Sequence, residues 1–172
     1  MKRQTLRIVA LALSVALVFT AVAAAKTLRG TQGDDVLNGT EGPDKIVAKK
    51  GDDRVNGNGG DDRVKAGRGD DTVDGGAGND RLAGKGDEDA VDGGDGDDFL
   101  AGGKDVDELD GGAGNDTIKG RGDGNAADQI VCGEGVDTVK ADRNDVVDGS
   151  CENVTRSGGG KGKAKGPKAP KV

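Results

Sequence analysis

Between Gly30 and Lys119 one aliphatic residue returns at every ninth position: Leu37, Ile46, Val55, Val64, Val73, Leu82, Val91, Leu100, Leu109 and Ile118. Each is the middle of a triplet that reads out, in, out, as a short strand does. The six residues before each triplet are rich in Gly and Asp, which is turn chemistry. The pattern predicts short strands joined by short turns, each strand giving one side chain to a thin core. A unit this small cannot bury its apolar face alone, so the units must stack.

The ten units divide without insertion or deletion: GTQGDDVLN, GTEGPDKIV, AKKGDDRVN, GNGGDDRVK, AGRGDDTVD, GGAGNDRLA, GKGDEDAVD, GGDGDDFLA, GGKDVDELD and GGAGNDTIK. Position six is Asp in all of them, and position four is Gly in eight. Gly at positions one, two and four permits positive φ and lets carbonyls turn outward without a Cβ in the way. The Asp adds a carboxylate beside those carbonyls. A turn that gathers oxygens, with no nitrogen or sulfur, suits a hard cation. Calcium accepts six to eight oxygens in flexible geometry, whereas magnesium prefers to keep its water.

The pattern resembles the RTX, or hemolysin-type, calcium-binding nonapeptide G-G-x-G-x-D-x-U-x. The resemblance implies an all-β fold, a right-handed parallel β-roll of about five to six coils with two nonapeptides per coil. It also implies calcium, several ions to a roll, held between turns of neighbouring coils on the same edge. Units two apart then share an edge. The even units contribute Asp44, Asp62, Asp80, Asp98 and Asp116, with Gly42, Gly60, Gly78, Gly96 and Gly114 at position four. The odd units contribute Asp35, Asp53, Asp71, Asp89 and Asp107, but carry Asp87 and Asp105 at position four and Ala48-Lys49-Lys50 in one turn. The even edge is therefore expected to hold the tightest sites. Coils lie about 4.8 Å apart, so without calcium the acidic turns repel, and metal binding is expected to be coupled to folding.

Composition agrees with a fold that needs help. Gly is 34 of 172 residues, aromatics are 1%, and charged residues are 33%. By composition alone the chain would be a disordered polyanion, unable to offset its chain entropy by apolar burial. MKRQTLR, an apolar run from Ile8 to Phe19 and Thr20 to Ala25 look like a secretory signal cut after Ala25; an uncleaved anchor is the alternative. Removing Lys2, Arg3 and Arg7 takes the formal charge from -7 to -10. In an exported chain the pair Cys132 and Cys151 favours a disulfide over two buried free thiols.

After Lys119 the phase breaks. GRGDGNAADQIV carries three extra residues, and the phase returns with Asp137 and Val139, then Asp145 and Val147. This reads as a degenerate last coil that caps the roll, pinned by the cysteines. The expected organisation is a signal at 1–25, a lead-in at 26–29, repeats at 30–119, a cap at 120–155 and a flexible basic tail at 156–172. Asp123, Asn125 and Glu134 match three EF-hand places, but Ala127 and Asp128 fall where an oxygen ligand and Gly are needed. The Arg121 to Asp123 RGD is accidental in a chain this rich in Gly and Asp.

No His and no nucleophile constellation argue against an enzyme. Outward positions in the even units show Lys45, Arg63, Lys65, Arg81 and Lys119 with no acid, while the odd units show Asp74, Asp92, Glu108 and Asp110 with Arg54 as the only base. The tail has five Lys and no aromatic for base stacking, which weakens a nucleic-acid partner. Two function classes follow: a secreted calcium-binding module, or a surface-associated structural or adhesive protein whose basic face or tail meets an anionic polymer.

Overall fold

The computed structural model describes residues 24–120 and 126–157. The chain winds between two parallel sheets and changes sheet after every strand. The strands are β1 (Thr27–Arg29), β2 (Val36–Asn38), β3 (Lys45–Lys50), β4 (Arg54–Asn56), β5 (Arg63–Arg68), β6 (Thr72–Ala77), β7 (Arg81–Ala83) and β8 (Ala90–Asp95). They continue with β9 (Phe99–Ala101), β10 (Glu108–Asp110), β11 (Thr117–Lys119), β12 (Gln129–Val131), β13 (Thr138–Ala141), β14 (Val146–Val147) and β15 (Asn153–Arg156). Odd-numbered strands form an eight-stranded sheet in the order β1-β3-β5-β7-β9-β11-β13-β15. Even-numbered strands form a seven-stranded sheet in the order β14-β12-β10-β8-β6-β4-β2. This is a parallel β-solenoid of about seven turns, the lead-in and the cap adding to the coils built by the repeats.

The register is 18 residues per coil through the repeats, as in Lys45↔Arg63, Arg63↔Arg81 and Arg81↔Phe99. Across residues 121–125 it widens, pairing Glu108 with Gln129 and Thr117 with Thr138. The register of the strands that follow is offset by the three extra residues, and Asp128 and Ile130 resume the roles of positions six and eight. In the cap the coils shorten, with Gln129 opposite Val146 and Thr138 opposite Asn153.

The core is one file of aliphatics from each sheet. Ile46, Val64, Leu82, Leu100, Ile118 and Val139 meet Val55, Val73, Val91, Leu109 and Ile130, all 3% exposed or less. Leu28, Leu37 and Val147 pack against its ends half-buried. Cys132 and Cys151 are buried and joined by a disulfide with Cα atoms 5.2 Å apart. Arg156 closes the far end by donating from its guanidinium to the carbonyls of Asp142 and Asp145 at 2.8 and 3.0 Å. The expected signal, RGD and tail beyond Ser157 lie outside the described residues, as do Asp123 and Asn125. Among the described residues no helix is long and apolar enough to cross a membrane.

Each coil has so few core atoms that one truncation is felt. Ile118→Ala should lower the stability of the calcium-saturated chain by about 2–5 kcal/mol. Lys119→Ala, one residue away and outward, should change it by less than about 0.5 kcal/mol. Guanidinium denaturation measures both, and equal losses would contradict the inward–outward alternation.

Candidate functional site

The position-six aspartates fold inward at the turns, where they are buried among backbone. Asp53, Asp62, Asp71, Asp80, Asp89, Asp98, Asp107 and Asp116 are 3% exposed or less, Asp44 is 5% exposed and Asp35 is half-buried. From Asp53 and Asp62 onward each Oδ1 accepts the backbone N–H of the equivalent Asp one coil earlier, while Asp44 Oδ1 accepts the Lys26 N–H at 2.5 Å. On the even edge these bonds run from Asp44 to Asp62, Asp62 to Asp80, Asp80 to Asp98 and Asp98 to Asp116 at 2.7–2.8 Å. On the odd edge they run from Asp35 through Asp53, Asp71 and Asp89 to Asp107 at 2.8–3.0 Å. The cap extends both ladders. Asp116 donates to Asp137 at 2.8 Å, Asp107 to Asp128 at 3.0 Å, and Asp137 to Glu152 at 2.9 Å.

The second oxygens are different. Oδ2 of Asp53, Asp62, Asp71, Asp80, Asp89, Asp98, Asp116 and Asp137 is buried without a hydrogen-bond partner. Burying an anionic oxygen with nothing to receive it is costly, so such atoms need an occupant. In Asp62, Asp80, Asp89, Asp98 and Asp116 that oxygen lies against the position-one glycine of its own unit. A Cβ placed on Gly57, Gly75 or Gly93 would lie 2.3–2.5 Å from that Oδ2 and 2.3–2.5 Å from the carbonyl oxygen of the next coil's position-one glycine. Position one is therefore Gly on the even edge for close approach of oxygens, since φ there is ordinary. The odd edge keeps this close approach at Gly30, Gly84 and Gly102 but places buried methyls at position one in Ala48 and Ala66.

Position four is where the left-handed backbone is required. Gly60, Gly78, Gly96 and Gly114 have φ between 90° and 138°. Gly42 does not, because Pro43 follows it and confines it to extended backbone. On the odd edge Asp87 and Asp105 hold φ of 72° and 68°, which costs an ordinary residue about 1–2 kcal/mol. Asp87 also turns its Oδ2 to accept the Gly69 N–H at 3.0 Å.

Burial pushes the carboxyls up, like-charged neighbours in the ladder add to the rise, and the accepted backbone N–H opposes it. Asp62, Asp71 and Asp116 are raised to about 6, Asp98 to about 7 and Asp89 to about 8. Asp53, Asp80 and Asp137 are raised by the same cause.

A second ladder, at position five, is not apparent from the repeat pattern. On the odd edge Asp52 donates its N–H to Asp34, Asp70 to Asp52 and Glu88 to Asp70 at 3.0–3.1 Å. On the even edge Asn79 donates to Asp61, Asp97 to Asn79 and Asn115 to Asp97 at 2.8–2.9 Å. These side chains are exposed, and they accept from the coil after rather than the coil before. The Asp-Asp and Asn-Asp doublets were the signal for it.

Among the described residues no three His, Cys, Asp or Glu side chains gather with metal-holding geometry. An ion would draw on paired carboxylates of successive coils and on turn carbonyls, a donor set of oxygens only, which suits calcium. The Glu134 of the rejected EF-hand match lies in a turn, pairing with Ala113, while Asp128 is a buried ladder member.

An all-parallel solenoid that stacks buried carboxylates beside turn carbonyls defines a class, repeat proteins that hold hard cations at their turns. The model of the RTX calcium-binding nonapeptide repeat (four copies) matches residues 29–64, 56–91, 83–118, 92–126 and 102–139, and the chain belongs to that family. No curated protein matches the chain significantly. The repeats of this family bind calcium, and the stacked aspartates are consistent with several ions.

The raised carboxyls set a pH dependence. A group whose pKa is higher in the fold than the ordinary 3.8 stabilises the fold below about pH 4, and that contribution is lost as pH rises through its folded value. In calcium-free buffer the denaturation midpoint should therefore fall between about pH 4 and about pH 8, the span from 3.8 to Asp89. Calcium needs the carboxylates ionised, so its binding should weaken over the same window on acidification. A calcium-free midpoint that rises with pH would contradict both.

Proposed function

We propose that this chain is an extracellular calcium-binding protein, without catalytic activity, whose folding is coupled to ions held by the position-six carboxylates. The observation that carries this is the file of buried Oδ2 atoms without partners. The contrast between the two ladders supports it. The exposed position-five ladder alternates Asp61, Asn79, Asp97 and Asn115, so an amide oxygen serves it as well as a carboxylate. Position six never uses Asn. Hydrogen bonding alone would accept Asn there, and its amide would even supply a donor for the second site. The retained charge points to a cation.

Calcium, when bound, supplies the positive charge and the flexible oxygen coordination that relieve repulsion along each ladder. The chain's part is to hold oxygens of successive coils at one turn. The even edge, with Gly at positions one and four throughout, is the better candidate for tight binding. Asp62, Asp80, Asp98 and Asp116 are the residues proposed to hold ions there.

Circular dichroism of the chain from Lys26, titrated with calcium, should show a cooperative rise in β signal that magnesium does not reproduce and that calcium removal reverses. Asp80→Asn, which keeps the ladder acceptor and removes the charge, should shift the calcium midpoint upward by about tenfold or more. Asp97→Asn should shift it little. Full β signal in calcium-free buffer at neutral pH, unchanged by calcium, would overturn the coupling.

A second reading rests on the outer face of the eight-stranded sheet. Lys45, Arg63 and Arg81 are consecutive in register, Lys65 lies beside them, and among the described outward strand residues of this sheet there is no acid. The opposite sheet stacks Asp74, Asp92 and Asp110. The basic face would attach the roll to an anionic surface polymer, with calcium only stiffening the rod. In that case cell-associated protein should be released by moderate salt, and Arg63→Glu with Arg81→Glu should release it into the medium. Free secretion of the unaltered chain would reject this reading.

A further inference from the structure

The turn nearest the start of each ladder is built differently from those that follow. Positive φ occurs at position two as well as position four. Later coils place Gly there, among them Gly67, Gly76, Gly94, Gly103 and Gly112. Three units place a side chain instead: Lys49 with φ 100°, Asn58 with φ 72° and Lys85 with φ 103°. The Lys49 ammonium, half-buried, donates to the carbonyl oxygen of Gly30 one coil back. Asn58 makes the equivalent bond on the even edge, from Nδ2 to the Gly39 carbonyl at 3.1 Å. Lys85 has the same position and the same backbone, yet its side chain is exposed and donates to no carbonyl.

The carboxylates of these two first turns are also occupied. Asp35 Oδ2 accepts the N–H and hydroxyl of Thr31 at 2.5 and 3.0 Å, and Asp44 Oδ2 accepts the Thr40 N–H at 2.6 Å. The oxygens without partners begin one coil later, at Asp53 and Asp62. At the other end Asp145 Oδ2 accepts the Asp142 N–H at 2.5 Å, and the Arg156 guanidinium covers two turn carbonyls.

We propose that the end turns of the roll are metal-free caps and that the Lys49 ammonium takes, in the first odd-edge turn, the place calcium takes in the interior turns. This rests on the reading that ions sit along the position-six ladders, and it narrows that reading to the interior. An ion needs six or more oxygens, and an interior turn draws them from coils on both sides. Between the first two odd-edge turns Asp35 Oδ2 is already taken by Thr31 and the Gly30 carbonyl by Lys49, and removing Lys49 frees that carbonyl. A tethered ammonium needs fewer acceptors, carries its own charge, and is present whatever the calcium concentration. Asn58 gives the first even-edge turn a donor in the same place, where Thr40 has already satisfied Asp44.

The test is calcium stoichiometry of the full chain, by equilibrium dialysis at saturating calcium, for the unaltered chain, Lys49→Gly and Lys85→Gly. Lys49→Gly restores the residue that later coils use and should bind one more ion per chain. Lys85→Gly should bind the same number as the unaltered chain. An unchanged number in a folded Lys49→Gly variant overturns the proposal, and so does a gain in both variants. Should Lys49→Gly fail to fold, Lys49→Met removes the charge and keeps the length. Hydrogen exchange in saturating calcium should then speed at Gly30 and Lys45, and unchanged protection there would equally overturn it. If the unaltered chain binds no calcium, the ladder reading fails with it; if it binds calcium and Lys49→Gly adds none, only the cap assignment fails.

Discussion

Two carboxylates are buried in each interior coil of a roll that buries about two aliphatics per coil. Placing a charge in the interior costs several kcal/mol even after relaxation, whereas a buried Val or Leu contributes about 1.5–3 kcal/mol. The aliphatic files therefore cannot hold an ionised, ion-free ladder closed, and the fold depends on what neutralises Asp53, Asp62, Asp71 and their successors. Protons can do so, which is why burial raises Asp98 and Asp89 to about 7 and 8. Calcium does it at neutral pH without asking the carboxylates to give up their charge. The thin core is the corollary: stability sits in the turns.

The coils are tied in both directions by acids of opposite habit. A position-six carboxylate accepts from the coil before it, and a position-five side chain accepts from the coil after it, as Asp80 and Asn79 do side by side. The inner ladder is dry and charged; the outer is wet and indifferent to charge. Glycine serves the two for different reasons. At Gly75 the oxygens of Asp80 and Gly93 leave no room for a methyl, and at Gly78 the backbone turns left-handed. Where the odd edge departs from glycine the consequence differs by position. Ala48 and Ala66 join the core, while Asp87 and Asp105 bear backbone strain.

The alternation of parity was legible because it needs only counting. An aliphatic every ninth residue fixes strand, turn and inward side chain, and 18 residues to a coil puts Lys45 under Arg63 and Asp74 under Asp92. The buried role of Asp128 was less legible, since the three extra residues shift it from a place the phase would assign. Glu152 joins the even ladder from a unit with no Asp in register, and only the shortened cap coil brings its carboxylate to the Asp137 N–H. The bonds of Lys49 and Asn58 were not legible. The pattern marks both as breaks in the glycine rule, but Lys85 breaks it identically and reaches nothing, so the direction of the side chain is decided by neighbours a coil away.

The means of holding one coil to the next changes along the axis. The interior relies on paired carboxylates and the cations they attract. At the start, Thr31, Thr40, Lys49 and Asn58 supply donors from the chain itself. At the far end, Arg156 and the Cys132–Cys151 bridge close the last coils. On the proposal that neither end binds calcium, a fall in calcium acts first on the middle. A solenoid in which each coil contacts only its neighbours propagates order from any formed end. Ends that form from the chain's own groups would then give the interior a register to extend, and under the proposed coupling calcium would decide how far the extension runs rather than where it begins.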